Sequence, residues 1–237
     1  MKHNMNKKKS FLAKLQSSKK GQIFLVCTVI IIIYLLSFIS IVFELNKNQY
    51  SQNVEINDII NAYENFKIET QDFMLGMLAN YSLPATLIDS NVTAAAFLQD
   101  WLDFAETQMI ARGYIAIFEI DQISAPEPIQ IVKINGKMAI TADIDVLLEN
   151  NYLTIDTQLA FYFDYSTTYL NTATNGYITL SYQDASSQNY VGYAEVTVNG
   201  GATINLYNGT YIYSAPLAPG DVIQCITAEQ IIVTRII

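Results

Sequence analysis

From Ile23 to Phe43 the chain runs for 21 residues without a charge. A helix of about 20 apolar residues is long enough to cross a hydrocarbon core roughly 30 Å thick. The flanks give the run a direction. Seven of the 13 Lys and Arg residues precede Gln22 (Lys2, Lys7, Lys8, Lys9, Lys14, Lys19 and Lys20), with no acid among them. All 22 acids fall from Glu44 onward, against six basic residues, a net charge of −16 for that part. The positive-inside rule then predicts a cytoplasmic head at 1–21, a transmembrane helix at 22–44 and an extracellular remainder. A cleaved secretory signal is the rival reading. Its apolar region would span about 7–15 residues and close on small residues, whereas this run ends in "SIVFELNKN". An apolar helix that stays on the chain is the expectation.

The acidic remainder excludes one class of partner. A segment at −16 repels nucleic acid, and no basic patch with interleaved aromatics stands out in it. The basic head is a topology signal rather than a nucleic-acid arm. Only 15% of residues are charged, so the polar surface falls to Asn, Gln, Ser, Thr and the 16 tyrosines, whose rings are apolar and whose tips are polar.

The junction of head and helix, "KKGQIFLV", resembles the class III signal of type IV pilin-like proteins, the archaeal ones in particular. In that family a short basic leader ends in Lys or Arg and then Gly or Ala, and a prepilin peptidase cuts on the cytoplasmic side before the apolar helix. The resemblance implies recognition at Lys19, Lys20 and Gly21 and cleavage between Gly21 and Gln22. Loss of the lysines would remove the charge that pins the end of the helix to the cytoplasmic face. The released helix would then be able to pack against copies of itself in a filament. Many members carry a glutamate a few residues into the mature helix. Here Val26 and Cys27 stand in that region and the first Glu is Glu44, a pattern nearer to the archaeal members. The same residues also fit a plain single-pass anchor, since basic residues beside a transmembrane helix are general.

Beyond the membrane run, residues 45–112 read as helical. "NKNQYSQN", 46–53, is either a short linker or a solvated continuation of the helix. Ile56, Ile59, Ile60, Tyr63, Phe66, Ile68, Phe73, Met74, Met77 and Leu78 then recur mostly at spacings of three and four, which predicts an amphipathic helix ending before Pro84. A second helix starts at Ser90 or Asn91. Its apolar stripe is Ala95, Phe97, Leu98, Leu102, Phe104, Ala105 and Met109, and Gly113 stops it. From Tyr114 the period shifts to two. Roughly nine short strands follow, with turns at Asn135-Gly136, Asn199-Gly200-Gly201, Asn208-Gly209 and Pro219-Gly220. The strand from Asn151 to Tyr165 is long enough to require a bend or bulge. The predicted fold class is α+β: a long N-terminal helix, a second helix, then an antiparallel β-sandwich or sheet at 113–237.

The site chemistry is sparse. His3, in the head, is the only histidine. That removes Ser–His–Asp and Cys–His nucleophile systems, and His-containing metal sites, from the rest of the chain. No phosphate loop or dinucleotide fingerprint is present. The reading is a non-enzyme with no catalytic residues, no metal, no cofactor and no small-molecule ligand. Asp143 and Asp145 alternate onto one strand face, and Asp100, Asp103 and Glu106 line a helix; both sets read as solvated acidic surface. The two cysteines, Cys27 and Cys225, lie in the apolar run and in a late strand. They are not expected to pair, and Cys225 reads as a buried, inert thiol. Three N-x-S/T sequons, at Asn80, Asn91 and Asn208, fall at predicted helix ends or turns and are glycosylation candidates. The expected partners are the membrane, the prepilin peptidase and further copies of the chain.

Overall fold

A computed structural model describes residues 19–84, 87–121, 128–184 and 187–237, with side chains from residue 26 onward. The basic residues from Lys2 to Lys14, and His3, lie outside the described residues. Two compact units divide the chain, one up to Ile56 and one from Asn57 to Ile237.

Helix α1 runs Lys19–Ser82, 64 residues, and residues 46–53 are helical within it. The solvated continuation, not the linker, is thus the observed form of that polar stretch. In the first unit the side chains from Val29 to Phe43 are exposed, Tyr34 at 74% and Phe43 at 70%. From Asn57 the helix becomes one-sided. Ile59, Ala62, Phe66, Thr70, Met74, Met77 and Leu78 are buried, while Ile60 and Ile68 face out. It stops two residues before Pro84, whose ring restricts the residue before it to extended backbone.

Helix α2 spans Asn91–Ala111. Ser90 is its N-cap: the Ser90 hydroxyl accepts from Thr93 N–H, and Thr93 Oγ1 accepts from Ser90 N–H. This reciprocal pair satisfies two of the helix's otherwise unpaired donors. Ala94, Leu98, Leu102, Ala105 and Met109 face inward. Phe97 and Phe104, which the spacing puts in the stripe, are instead 38% and 55% exposed. They lie one position off the buried ridge, and Phe104 leans on Trp101 with ring centroids 5.8 Å apart.

Twelve strands form two antiparallel sheets among the described residues. The larger sheet contains β1 (Ile115–Ile120), β2 (Ile129–Ile134), β3 (Lys137–Glu149), β4 (Thr154–Asn171), β5 (Gly176–Asp184), β6 (Gln188–Tyr190), β9 (Ile204–Asn205) and β10 (Thr210–Tyr213). The smaller contains β7 (Ala194–Val198), β8 (Gly201–Ala202), β11 (Val222–Thr227) and β12 (Ile232–Ile236). Strand β3 is the spine. It pairs with β2 over one half of its length and β1 over the other, and with β4 along its whole length. The β3–β4 register holds without a slip from Lys137↔Ser166 to Glu149↔Thr154, and β4 then pairs with β5 at constant offset. Of the bend and the bulge that this length allows, neither pairing contains a bulge, and the strand is longer than the pattern suggested, reaching Asn171.

Two expected strands are each split. The segment 190–200 divides between β6 in the larger sheet and β7 in the smaller. The segment 202–208 divides likewise between β8 and β9. Gly192 marks the first crossing, where a Cβ would lie 2.9 Å from the Tyr207 carbonyl oxygen. Thr203 marks the second, with its hydroxyl donating to Val196 C=O at 2.7 Å.

One face of the larger sheet is the core face. Phe118, Ile129, Met138, Ile140, Ile144, Phe163 and Ile178 belong to a single buried cluster with the inward residues of both helices and with Val198, Ile223 and Val233 of the smaller sheet. Phe66 stacks on Phe118 at 4.1 Å. Thr70 is fully buried and accepts from Trp101 Nε1 at 3.2 Å. The two sheets are tied at the β2–β3 turn. Asn135 Nδ2 donates to Ile236 C=O and its Oδ1 accepts from Ile236 N–H, so the side chain acts as a strand neighbour of β12. Gly136 N–H donates to Thr234 C=O, and Thr167 N–H donates to Gly136 C=O. Arg235 Nη1 donates to Thr167 C=O, and the guanidinium sits 5.3 Å over the Tyr169 ring.

Gly136 has φ +77°, and a Cβ there would meet Arg235 Nη1 at 2.8 Å. The left-handed backbone alone costs a residue with a side chain roughly 1–2 kcal/mol, and the arginine must also move. Gly136→Ala is expected to lower stability by about 2–3 kcal/mol, measured as a lower midpoint in chemical denaturation. A midpoint unchanged from the parent protein would show that this junction does not hold the sheets together.

Candidate functional site

The largest feature without a partner is the apolar part of α1. Ile32, Ile33, Tyr34 and Leu35 are consecutive, so they point in different directions around the helix axis, and all are at least half exposed. A helix that is apolar on every side belongs in a large protein's core or in a lipid bilayer. None of its most apolar window is buried, so this stretch is compatible with a single-pass membrane anchor. Lys19, Lys20, Gly21 and Gln22 are helical, at the start of the described residues, with side chains outside them.

The acidic residues form no obvious catalytic pair. Gln158 Nε2 donates to Asp121 Oδ2 at 2.6 Å and to Asp145 Oδ1 at 3.1 Å, bridging the two carboxylates through an amide. Asp145 is exposed and Asp143 half-buried on the sheet face opposite the core. Asp100 and Asp103 are exposed on α2, and Asp103 accepts from Gln99 at 2.8 Å. Among the described residues, no three His, Cys, Asp or Glu side chains gather as metal ligands would.

Lys137 Nζ forms an ion pair with Asp164 Oδ2 at 2.7 Å. Tyr162 donates to the same carboxylate oxygen at 2.7 Å, which pushes its phenol up to about 12. Asp164 is buried in the polar face of the sheet, and its Oδ1 has no hydrogen-bond partner. Cys225 is fully buried in β11, and that burial pushes the thiol up to about 12. At neutral pH the sulfur is protonated and shielded, so it is neither a nucleophile nor a soft ligand.

Two clefts lie in the second unit. One of about 330 Å³ runs beside the β4 edge, lined by Lys67, Gln71, Tyr162 and Asp184 among others. A second of about 250 Å³ is apolar, between Phe73, Gly76, Met77, Leu87, Ile88 and Phe97.

The three sequons differ in setting. Asn80 sits in the last turn of α1, and its Oδ1 accepts from Leu87 N–H and Ile88 N–H, holding the segment after the helix. Asn91 opens α2, and its Oδ1 accepts from Ile131 N–H at 2.8 Å. Asn208 is exposed in the turn between β9 and β10. Around this turn is a patch that periodicity does not reveal: Tyr190, Tyr193 and Tyr207 are 66%, 74% and 70% exposed. The signal for it was compositional, since no charged residue occurs between Val196 and Gly220.

No family model, curated protein or solved structure matches the chain.

Proposed function

We propose that the chain is a cell-surface structural protein, a type IV pilin-like subunit cut by a prepilin peptidase between Gly21 and Gln22. The observation that carries this reading is the all-round apolar stretch of α1 directly after Lys19-Lys20-Gly21. Such a helix satisfies its own backbone polar groups, so it is stable in lipid. The same apolar surface suits a filament core once the lysines are gone. On this reading the head faces the cytoplasm, and the unit from Asn57 to Ile237 stands outside the membrane. The support for that orientation is the basic head against a remainder of net −16. The only histidine, His3, lies in the head, which favours a structural role over one built on histidine-based catalysis.

The alternative is an unprocessed single-pass anchor that displays the same domain for binding or adhesion. The exposed tyrosines on the domain favour it, because Tyr is enriched in contact surfaces. The N-terminus of the protein from its native host separates the two. A mature chain beginning at Gln22, seen by intact mass or N-terminal sequencing, is the expected result. A chain that retains Lys7 to Lys20 would overturn the pilin-like reading and leave the anchored domain.

A further inference from the structure

We propose that a transferase acting on the folded second unit N-glycosylates Asn208 and leaves Asn80 and Asn91 bare. This rests on the reading that the second unit is exported. The reaction joins the Asn amide nitrogen to the anomeric carbon of a sugar carried on a lipid phosphate or diphosphate. The Nδ2–C1 bond forms, the C1–O bond to phosphate breaks, the lipid phosphate leaves, and the amide proton is taken up by the transferase or solvent. The enzyme must therefore reach Nδ2, and it must grip the Ser or Thr hydroxyl two residues on.

At Asn80 those needs fail together. Residues 80–82 are helical. Ser82 is 4% exposed, its hydroxyl donates to Ala79 C=O at 2.6 Å, and its oxygen accepts from Ile232 N–H at 2.9 Å. A transferase cannot take that hydroxyl without undoing the contact between α1 and β12. At Asn91 the sequon is also helical. Thr93 Oγ1 is inside the capping box and donates to Asp89 Oδ1 at 2.6 Å, while Asn91 Oδ1 is bound to β2. Both sequons are built into the fold.

Asn208 is the opposite case. Its Oδ1 accepts from Thr210 N–H at 3.0 Å, an Asx turn. That bond engages the carbonyl oxygen of an exposed side chain. Neighbouring residues keep the turn open. Tyr207 has φ +61° and Gly209 φ +80°, and a Cβ on Gly209 would lie 2.4 Å from Tyr190 Cβ. The backbone thus holds the sequon out against the tyrosines. Tyr207 leans on Tyr193 with ring centroids 5.8 Å apart. With Ile204 also 63% exposed, the surface here is largely apolar and aromatic. Exposed patches of this type need a cover. Sugar rings present C–H groups to aromatic faces and hydroxyls to water, so a glycan on Asn208 covers the tyrosines and keeps the surface wet.

The test is glycopeptide mapping of the full chain from its native host, beside Thr210→Ala, Thr210→Ser, Asn80→Gln and Asn91→Gln variants. The expected result is sugar on Asn208 in the parent and in Thr210→Ser, none in Thr210→Ala, and no change with the other two. Thr210→Ser keeps the hydroxyl, so it shows that loss in Thr210→Ala comes from the sequon and not from misfolding. A bare Asn208, or sugar on Asn80 or Asn91, overturns the assignment. Protease added to intact cells shows where the fault lies. If the second unit is digested and Asn208 is bare, the glycan assignment alone fails. If the unit is protected and Asn208 is bare, the export reading fails with it.

Discussion

Replacing Ile32 and Leu36 together by Lys is expected to move the full-length protein out of the membrane fraction. Both side chains lie near the middle of the uncharged run, one helical turn apart, and both are at least half exposed. A lysine at the centre of a spanning helix costs roughly 2.5–3.5 kcal/mol in insertion. Two of them cost about 5–7 kcal/mol, a shift in partition of roughly a thousandfold or more. The measurement is flotation of membranes on a density gradient, with the parent protein in the floating band and the double variant at the bottom. A double variant that still floats would remove the membrane reading of α1, because no other described segment is long and apolar enough to replace it.

The second large effect is in the core. Phe118→Ala should destabilise the unit from Asn57 to Ile237 by about 3–5 kcal/mol, the range for emptying a buried aromatic site. Phe118 is 1% exposed and its ring stacks on Phe66. The cavity would open between α1 and β1, where the β1 backbone cannot close it without breaking its pairs with β3. For a unit of this size the thermal midpoint falls roughly 2–4 °C per kcal/mol, so a drop of about 10 °C is expected. Trp101 is the only tryptophan, lies against Phe73 and reports the transition by fluorescence. Phe104→Ala serves as the control. That ring is 55% exposed, and its loss should cost less than about 1 kcal/mol. Equal losses in the two variants would contradict the buried stack.

How far the sequence reached depends on the range of the interaction that decided each element. The helices and the Ser90 cap follow from contacts within one or two turns, and both were legible. The Asn135-Gly136 turn was legible as well, because its requirement for a positive φ is local. The division of 190–208 between two sheets was not. Tyr190 to Val198 alternates well enough to read as ordinary strand, and what breaks it is the close approach of Gly192 to Tyr207, a contact that no local pattern encodes. Phe97 and Phe104 were misplaced for a related reason. Spacing finds an apolar face but not its edges, and the edge here is set by where α2 meets β1 and β2. Among site residues, the three sequons looked alike in sequence. They differ only in what their side chains hold in the fold.

The bond from Ile232 N–H to the Ser82 hydroxyl joins residues 150 positions apart. Together with the clasp of Asn135 on Ile236, it makes the second unit a structure whose early pieces wait for late ones. During synthesis the end of α1 and the β2–β3 turn emerge well before the strand that satisfies them. A chain threaded through a membrane in one direction would keep those polar groups facing water until β12 arrives. Closure is then a single late event, and contacts of such long separation slow it. In the interval, β3 and β4 are able to zip locally while the smaller sheet has no partner. An interrupted chain at that stage would show strand pairing without a closed core, and it is there that proteolysis should remove defective copies.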